Sequence, residues 1–458
     1  MTKVRGGAPT VSERLATYAT ELRFEDLPAA VIDKAKDHFA YNLALAFSGH
    51  SAQRGPVALR FAYALSEGGG HATIVGAHRK ALPLDAAFAN SALIAGPLDD
   101  TSEPSGVHAG VVIFPAAWAV GEQRRASGKE VLTAVVLGYD VMCKLADPIG
   151  DLGSYSRRAN HAFAPFGAAA TAGRLMGLSR EGMALAMGHA GHAGMGVVEG
   201  SEFGWHVQGR LTRAGMLAAS LAAAGAPTAP TTIEGAHGFY QAFYGGVPEG
   251  LNVGLDALGG EFAITETTTK EYTASGANIL AMLAALELVT SGSFDSAAIA
   301  GARVVLSEER RGRDAYFESE LETNPIGSLR FRIAAILLDR RIDESRIDQL
   351  HSQEMRSLLG KIRLDYEPGH TVRIFGRDAP STAYGRVEIA TTDGRTFVAE
   401  RDRYMAPRGD WNAWLRRDGE HVLPAERLRQ LIDLVTHLED VDDVSKVLRA
   451  ATAEVDRY

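Results

Sequence analysis

Cysteine is almost absent: Cys143 is the single thiol in 458 residues. No disulfide can close within the chain, and this composition suits a reducing compartment, so a cytoplasmic protein is expected. Basic residues are not in excess either. They number 47 against 56 acidic ones, for a net charge of −9. No lysine–arginine block concentrates them, which argues against a nucleic-acid partner. No apolar run reaches the roughly 18 residues of a membrane-spanning helix, so no membrane partner is expected. The opening MTKVRGGAPTVSERLATYATEL lacks the apolar core of a secretory signal. Aromatics make up only 7% of the chain, while alanine is abundant. Small side chains let helices approach closely, which predicts a mainly helical protein.

Apolar residues at 46% and charged residues at 22% describe a soluble globular protein, and 458 residues are too many for one ordinary core. Two domains are expected. Helices are predicted over 10–22 and 28–48, the latter with Pro28 in its first turn and Val31, Ala35, Phe39 and Leu43 at every fourth position. Pro56 opens another that stops at the glycines after Ser66, and residues 72–76 are a short strand or an extended link. Helices follow over 85–95, with Asp85 placed to cap it, and over 110–126. Ser127 and Glu130 form a capping box for helix 128–146, which is apolar nearly all round. Cys143 falls inside it and reads as a core residue rather than a nucleophile. The polar stretch DLGSYSRRANH reads as a loop before helix 165–176; Ser179 caps the next helix, and another spans 208–225.

Near residue 265 the texture changes. A polar link, TETTTKEYTASG, leads into helix 276–291 and then to strand signals at Ala302–Leu306, Lys361–Tyr366 and Thr371–Phe375. A hairpin over 384–401 turns on Asp393-Gly394, and one helix, 325–339, interrupts the strands. This is an α+β module inside a helical protein, and the tail over 421–456 is helical again.

Chemistry concentrates in DAAFANSALIAGPLDDTSEPSGVHAG, residues 85–110. An apolar helix ends at Gly96-Pro97. Asp99, Asp100, Thr101, Ser102 and Glu103 follow, and then His108 among small residues. Two roles are open for this stretch: an active-site floor, or a solvated loop between helices. The glycine-rich run MGHAGHAGMGVVEGSEFG matches neither phosphate-binding glycine pattern. His189 and His192, three apart, can share a helix face, but no carboxylate stands at ligand spacing beside them.

Taken in order, LPAAVIDKAKDHFAYNLALAFSG, ATIVGAHRKALPLDAAFANSALIAGPLDDT, VHAGVVIFPAAWAVGEQRRASGKEVLTAVVLGYDV, FGAAATAGRLMGLSREGMALAMGHAG and KEYTASGANILAMLAALEL make this chain resemble the MmgE/PrpD family over nearly its whole length. The resemblance implies a mainly α fold. A large all-α helical domain takes residues 1–268 and 405–458, and a smaller α+β lid takes 269–404. It also implies a homodimer, a substrate site between the two domains of each subunit, and no metal or organic cofactor. Members act on small organic acids at the carbon next to a carboxylate, by dehydration, decarboxylation or epimerisation. The implied activity is therefore that of a cofactor-independent lyase or isomerase with a small carboxylate as substrate.

The motifs carry over residue by residue. His108, in VHAG, falls on the family's HPG-type histidine and is the candidate general acid/base. Lys270, in KEY, falls on the lysine of the KPYP-type motif and would hold a carboxylate or steady developing negative charge. Asp100 and Thr101 match the end of the family's DDT loop, with Asp99 beside them as a substrate contact.

The departures matter as much. The loop is one residue shorter than usual and lacks its histidine, and Ala109 replaces the motif's proline. A family histidine falls on Arg158, with His161 three residues on as a partial substitute; a family lysine falls near Gly204-Trp205, leaving His206 as the nearest basic group. A family tyrosine falls on Phe331, which either walls a pocket or simply packs. A less charged pocket follows, and with it a substrate bearing fewer carboxylates, or a larger and more apolar one, than citrate-like acids. The alternative is a degenerate homologue that binds a small carboxylate or a protein partner without turnover.

Overall fold

The computed structural model describes residues 8–50, 54–95, 101–102, 106–149, 155–194, 205–270, 276–291, 294–322, 325–342, 346, 349–368, 384–402 and 410–454. The described residues fall into two compact units. The first runs up to Thr269 and resumes at Asp410; the second lies between Lys270 and Asp402.

The first unit is helical. Its elements are α1 (Val11–Glu21), α2 (Ala29–Gly49), α3 (Arg54–Leu65), α4 (Pro83–Ile94), α5 (Gly110–Arg124), α6 (Gly128–Ala146), α7 (Tyr155–Leu175), α8 (Arg180–Gly191), α9 (Trp205–Ala223), α10 (Phe239–Tyr244) and α11 (Leu251–Asp256). A two-residue strand, β1 (Thr101–Ser102), pairs antiparallel with β2 (Thr267–Thr268). Local chemistry sets several starts. Thr10 with Glu13, and Ser127 with Glu130, form capping boxes for α1 and α6, and the Ser179 hydroxyl accepts from the Gly182 amide to start α8.

Three expectations are corrected. Leu82, not Asp85, is the N-cap of α4, because Pro83 already supplies the first helical φ. Asp85 is instead buried within the first turn, where the Ser66 hydroxyl donates to it at 3.2 Å and Arg213 pairs with it at 3.2 Å. Helix α3 opens at Arg54, before Pro56. The supposed loop over 151–161 is helical from Tyr155 onward, so α7 runs straight through Pro165 rather than starting there. From Asn160 to Gly173 this helix is buried, and packing of that face outweighs the hydrogen bond a proline removes. Residues 72–76 form no strand; a single bridge joins Ala72 to Ala81.

Small residues let the central helices close up. A methyl group on Gly138 of α6 would sit 2.2 Å from the Thr171 hydroxyl of α7, and one on Gly215 of α9 would sit 2.5 Å from the Pro165 carbonyl. Helix α5 is buried from Gly110 to Glu122. Three C-terminal helices, which follow the second unit in the chain, complete this one: those at Trp411–Gly419, Ala425–Thr436 and Ser445–Ala450. Trp411 stacks edge-on against Tyr41 of α2 with ring centroids 4.8 Å apart.

The second unit holds α12 (Gly276–Ser291), α13 (Arg311–Ser319), α14 (Leu329–Asp339) and α15 (Gln353–Leu359), with β3 (Ile299–Ser307), β4 (Ile362–Glu367), β5 (Gly385–Thr391) and β6 (Thr396–Arg401). The sheet order is β4-β3-β5-β6; β3 runs parallel to β4 and antiparallel to β5. The β5–β6 hairpin turns on Asp393-Gly394, where Gly394 takes a φ of 86°. Helices α12 and α14 lay an apolar face on the sheet, burying Ile279, Met282, Val304, Ile336 and Val387. Arg303 of β3 bridges Asp365, Glu367 and Glu388 on neighbouring strands. The strand signal at Thr371–Phe375 lies outside the described residues. The three helices of the tail are α16, α17 and α18 in chain order.

Candidate active site

The β1–β2 ladder is short but informative. Thr101 pairs with Thr268 and Ser102 with Thr267. It ties the end of the DDT loop to the segment that runs into Lys270 two residues later. Two polar motifs far apart in the sequence are thus linked through backbone pairing. Asp99 and Asp100 lie outside the described residues, as does the side chain of Thr101.

His108 follows Gly106, whose φ of 70° turns the chain, and Val107, which is fully buried. The imidazole is half-buried. Its backbone N–H donates to the Asn160 side-chain oxygen at 2.9 Å. Ala109, in place of the family's proline, is the N-cap residue of α5 and keeps helical φ and ψ. The histidine is therefore held from both sides: by the start of α5 in the chain, and by a side chain of α7 across space.

That contact places the α7 candidates. Asn160 and His161 are both buried, at 4% and 5% exposure, and Arg158 lies in the preceding turn. Asn160 was not visible as a site residue in the sequence. Its stretch, DLGSYSRRANH, reads as a polar loop, where an asparagine is ordinary. His206 stands at the second position of α9, exposed, with its pKa lowered by burial and by the guanidinium of Arg210 one turn on. Trp205 begins that helix.

In the second unit, Lys270 is 6% exposed and follows Thr269, also buried. A lysine is rarely so enclosed unless its ammonium is engaged. Phe331 lies in α14, whose N-cap Ser328 accepts from the Phe331 amide at 3.1 Å, and its ring belongs to the apolar core beneath the sheet. His189 turns Nε2 toward the Ala226 carbonyl at 3.1 Å, and His192 is exposed at the end of α8. Among the described residues no group of three His, Cys, Asp or Glu is assembled to hold a metal.

The model of the MmgE/PrpD N-terminal domain matches residues 13–250, which include His108, Asn160, His161 and His206. The chain belongs to the MmgE/PrpD family. Two cis-aconitate decarboxylases from Aspergillus terreus, one of them from strain NIH 2624 / FGSC A1156, are each 24% identical to it, over 97% of this chain and 96% of theirs. The cis-aconitate decarboxylase-like protein oryM from Aspergillus oryzae is 29% identical over 39% of each chain. This MmgE/PrpD member thus has lyases as relatives across nearly its full length, which supports a lyase-type function. None of its described helices is long and apolar enough to cross a membrane.

Proposed function

We propose that this protein is a cofactor-independent lyase or isomerase that acts at the carbon next to a carboxylate of a small organic acid. The observation that carries the reading is His108, held by Asn160, within a chain similar to decarboxylases over almost all its length. In a decarboxylation, the bond to the departing carboxylate breaks and carbon dioxide leaves. The electron pair stays on the α-carbon and spreads into the remaining conjugated carboxylate, and His108 returns a proton to carbon. In a dehydration, His108 takes the α-proton and gives it to the departing β-hydroxyl, which leaves as water. Either way negative charge builds near the retained carboxylate, where Lys270 supplies a cation and Asp99, Asp100 and Thr101 orient the acid. Arg158, His161 and His206 are the basic groups available to replace the missing family histidine and lysine. Their replacement favours a substrate with fewer carboxylates, or a larger and more apolar one, than citrate-like acids.

The test is a panel of unsaturated and hydroxy carboxylates, cis-aconitate included, assayed with wild type and His108→Ala. One acid should be turned over, and the substitution should cost about 100-fold or more. Cis-aconitate turned over as well as the best small monocarboxylate would count against the less charged pocket. Ligand-induced thermal shifts without turnover of any acid would favour a binding protein, a reading the changed positions at Arg158, Trp205 and Phe331 support. A cytoplasmic location belongs to the same proposal and is supported by the single, buried Cys143.

The homodimer is proposed on surface evidence. Val57, Phe61 and Leu65 form an exposed i, i+4, i+8 stripe on α3, and Leu217 and Leu221 continue the line of Arg213 on α9. The Arg213 guanidinium lies over the Phe61 ring, 6.0 Å from its centroid, and joins the two stripes. An apolar patch of this kind suits a second copy of the chain.

A further inference from the structure

We propose that Asp140 is a positioning residue for this reaction: through Ala263 it fixes the segment that becomes β2 and leads to Lys270. The proposal rests on the roles given above to Lys270 and the Thr101 loop.

Asp140 lies on the inward face of α6 with no surface of its own. A carboxylate in such a place is retained at a cost, and an apolar side chain of similar size would serve packing as well. What it does is specific. The Ala263 N–H donates to its Oδ1 at 2.7 Å, and the Tyr18 hydroxyl of α1 donates to its Oδ2. Ala263 opens a single 3₁₀ turn, Ala263–Glu266, that runs directly into β2. The Thr267 hydroxyl donates back to the Ala263 carbonyl at 3.3 Å, and Thr267 and Thr268 pair with Ser102 and Thr101.

One turn further along α6, the buried Lys144 ammonium lies 3.7 Å from the Glu261 carboxylate. Helix α6 therefore grips the approach to β2 twice, at residues 261 and 263. The path runs without a break from α1 through α6 and the turn to the backbone pair that carries both polar motifs. Nothing in the catalytic scheme uses Asp140 to touch substrate, so its effect is on where the strand sits. Burial pushes the carboxyl up to about 7, opposed by Tyr18, the Ala263 amide and Lys144 and assisted by Glu266.

The experiment compares Asp140→Asn, which can still accept from Ala263, with Asp140→Leu, which fills the space but cannot accept. Asp140→Ala, smaller and also unable to accept, is the second variant should the leucine not fold. Two readouts are taken on the full-length protein: amide hydrogen exchange over 261–270 and 101–102, and kcat and KM with cis-aconitate and the other acids of the panel. The leucine or alanine variant should exchange about tenfold or more faster in those two segments, with α7 and α9 unchanged. Its kcat should fall by about 10- to 100-fold. The asparagine variant should stay within about threefold of wild type in both readouts, because it keeps the acceptor. Wild-type exchange over 264–268 in the leucine or alanine variant, or equal behaviour of the asparagine and non-accepting variants, would overturn the proposal. If wild type turns over none of the acids, it is the enzymatic reading that fails, and the exchange data still decide whether Asp140 places the strand.

Discussion

At the scale of single residues, a buried amide holds the His108 backbone and a buried acid holds the Ala263 backbone. Asn160 accepts from the His108 backbone. Asn160→Ala leaves that N–H without its acceptor and should cost about 1–3 kcal/mol of stability, while Asn160→Asp keeps an acceptor and should cost less. Chemical denaturation of the two variants checks the order, and kcat on the best acid should follow it. Asp140 gives a pH dependence with a definite sign. Its carboxyl rises from 3.8 to about 7 on folding. Between those values the folded protein binds more protons than the unfolded chain, so this group's stabilising contribution is complete at low pH and is lost as the pH rises through 7. The denaturation midpoint of Asp140→Asn relative to wild type should therefore be higher at pH 8 than at pH 5. An unchanged difference would show that Asp140 does not titrate in this range. Neither residue was marked by the sequence. An asparagine in a stretch that reads as a polar loop and an aspartate in an apolar helix differ from solvated residues only in what the fold brings against them.

At the scale of elements, local chemistry was legible wherever a side chain bonds within a few residues of itself. The capping boxes at Thr10 and Ser127 and the hairpin on Asp393-Gly394 are such cases. Legibility failed where distant packing decides. The start of α7 is set by the burial of residues 160 onward against α6 and α9, which no local pattern in DLGSYSRRANH announces. Asp85 is the opposite failure: a good capping residue by type, drawn inside by Ser66 and Arg213. The site was legible as two motifs, and their linkage through the β1–β2 pair was not, because two-residue strands leave no periodicity. Close packing of elements gives a further prediction. Gly138→Ala places a methyl 2.2 Å from the Thr171 hydroxyl and must part α6 from α7. It should cost about 1–3 kcal/mol, read as a lowered denaturant midpoint. Gly394→Ala, strained only by its φ of 86° in an open turn, should cost about 1 kcal/mol.

At the scale of the whole molecule, the described residues of the helical unit come from the chain up to Thr269 and again from Asp410, and those of the α+β unit from the stretch between. The exposed stripes on α3 and α9 belong to the helical unit alone. If they cover a second copy, Leu217→Glu with Leu221→Glu should convert a dimer to a monomer in sedimentation velocity without lowering the helix content. A wild-type monomer, or a dimer that survives the double substitution, would place the contact elsewhere or remove it.

The solitary thiol has a practical consequence. Cys143 sits on α6, within the packed helical layer, with no exposed surface. A water-soluble disulfide reagent can reach it only when that layer comes apart, so its rate of modification is a clock for the opening of the helical core. The native protein already carries this reporter, and it needs no dye and no engineered site.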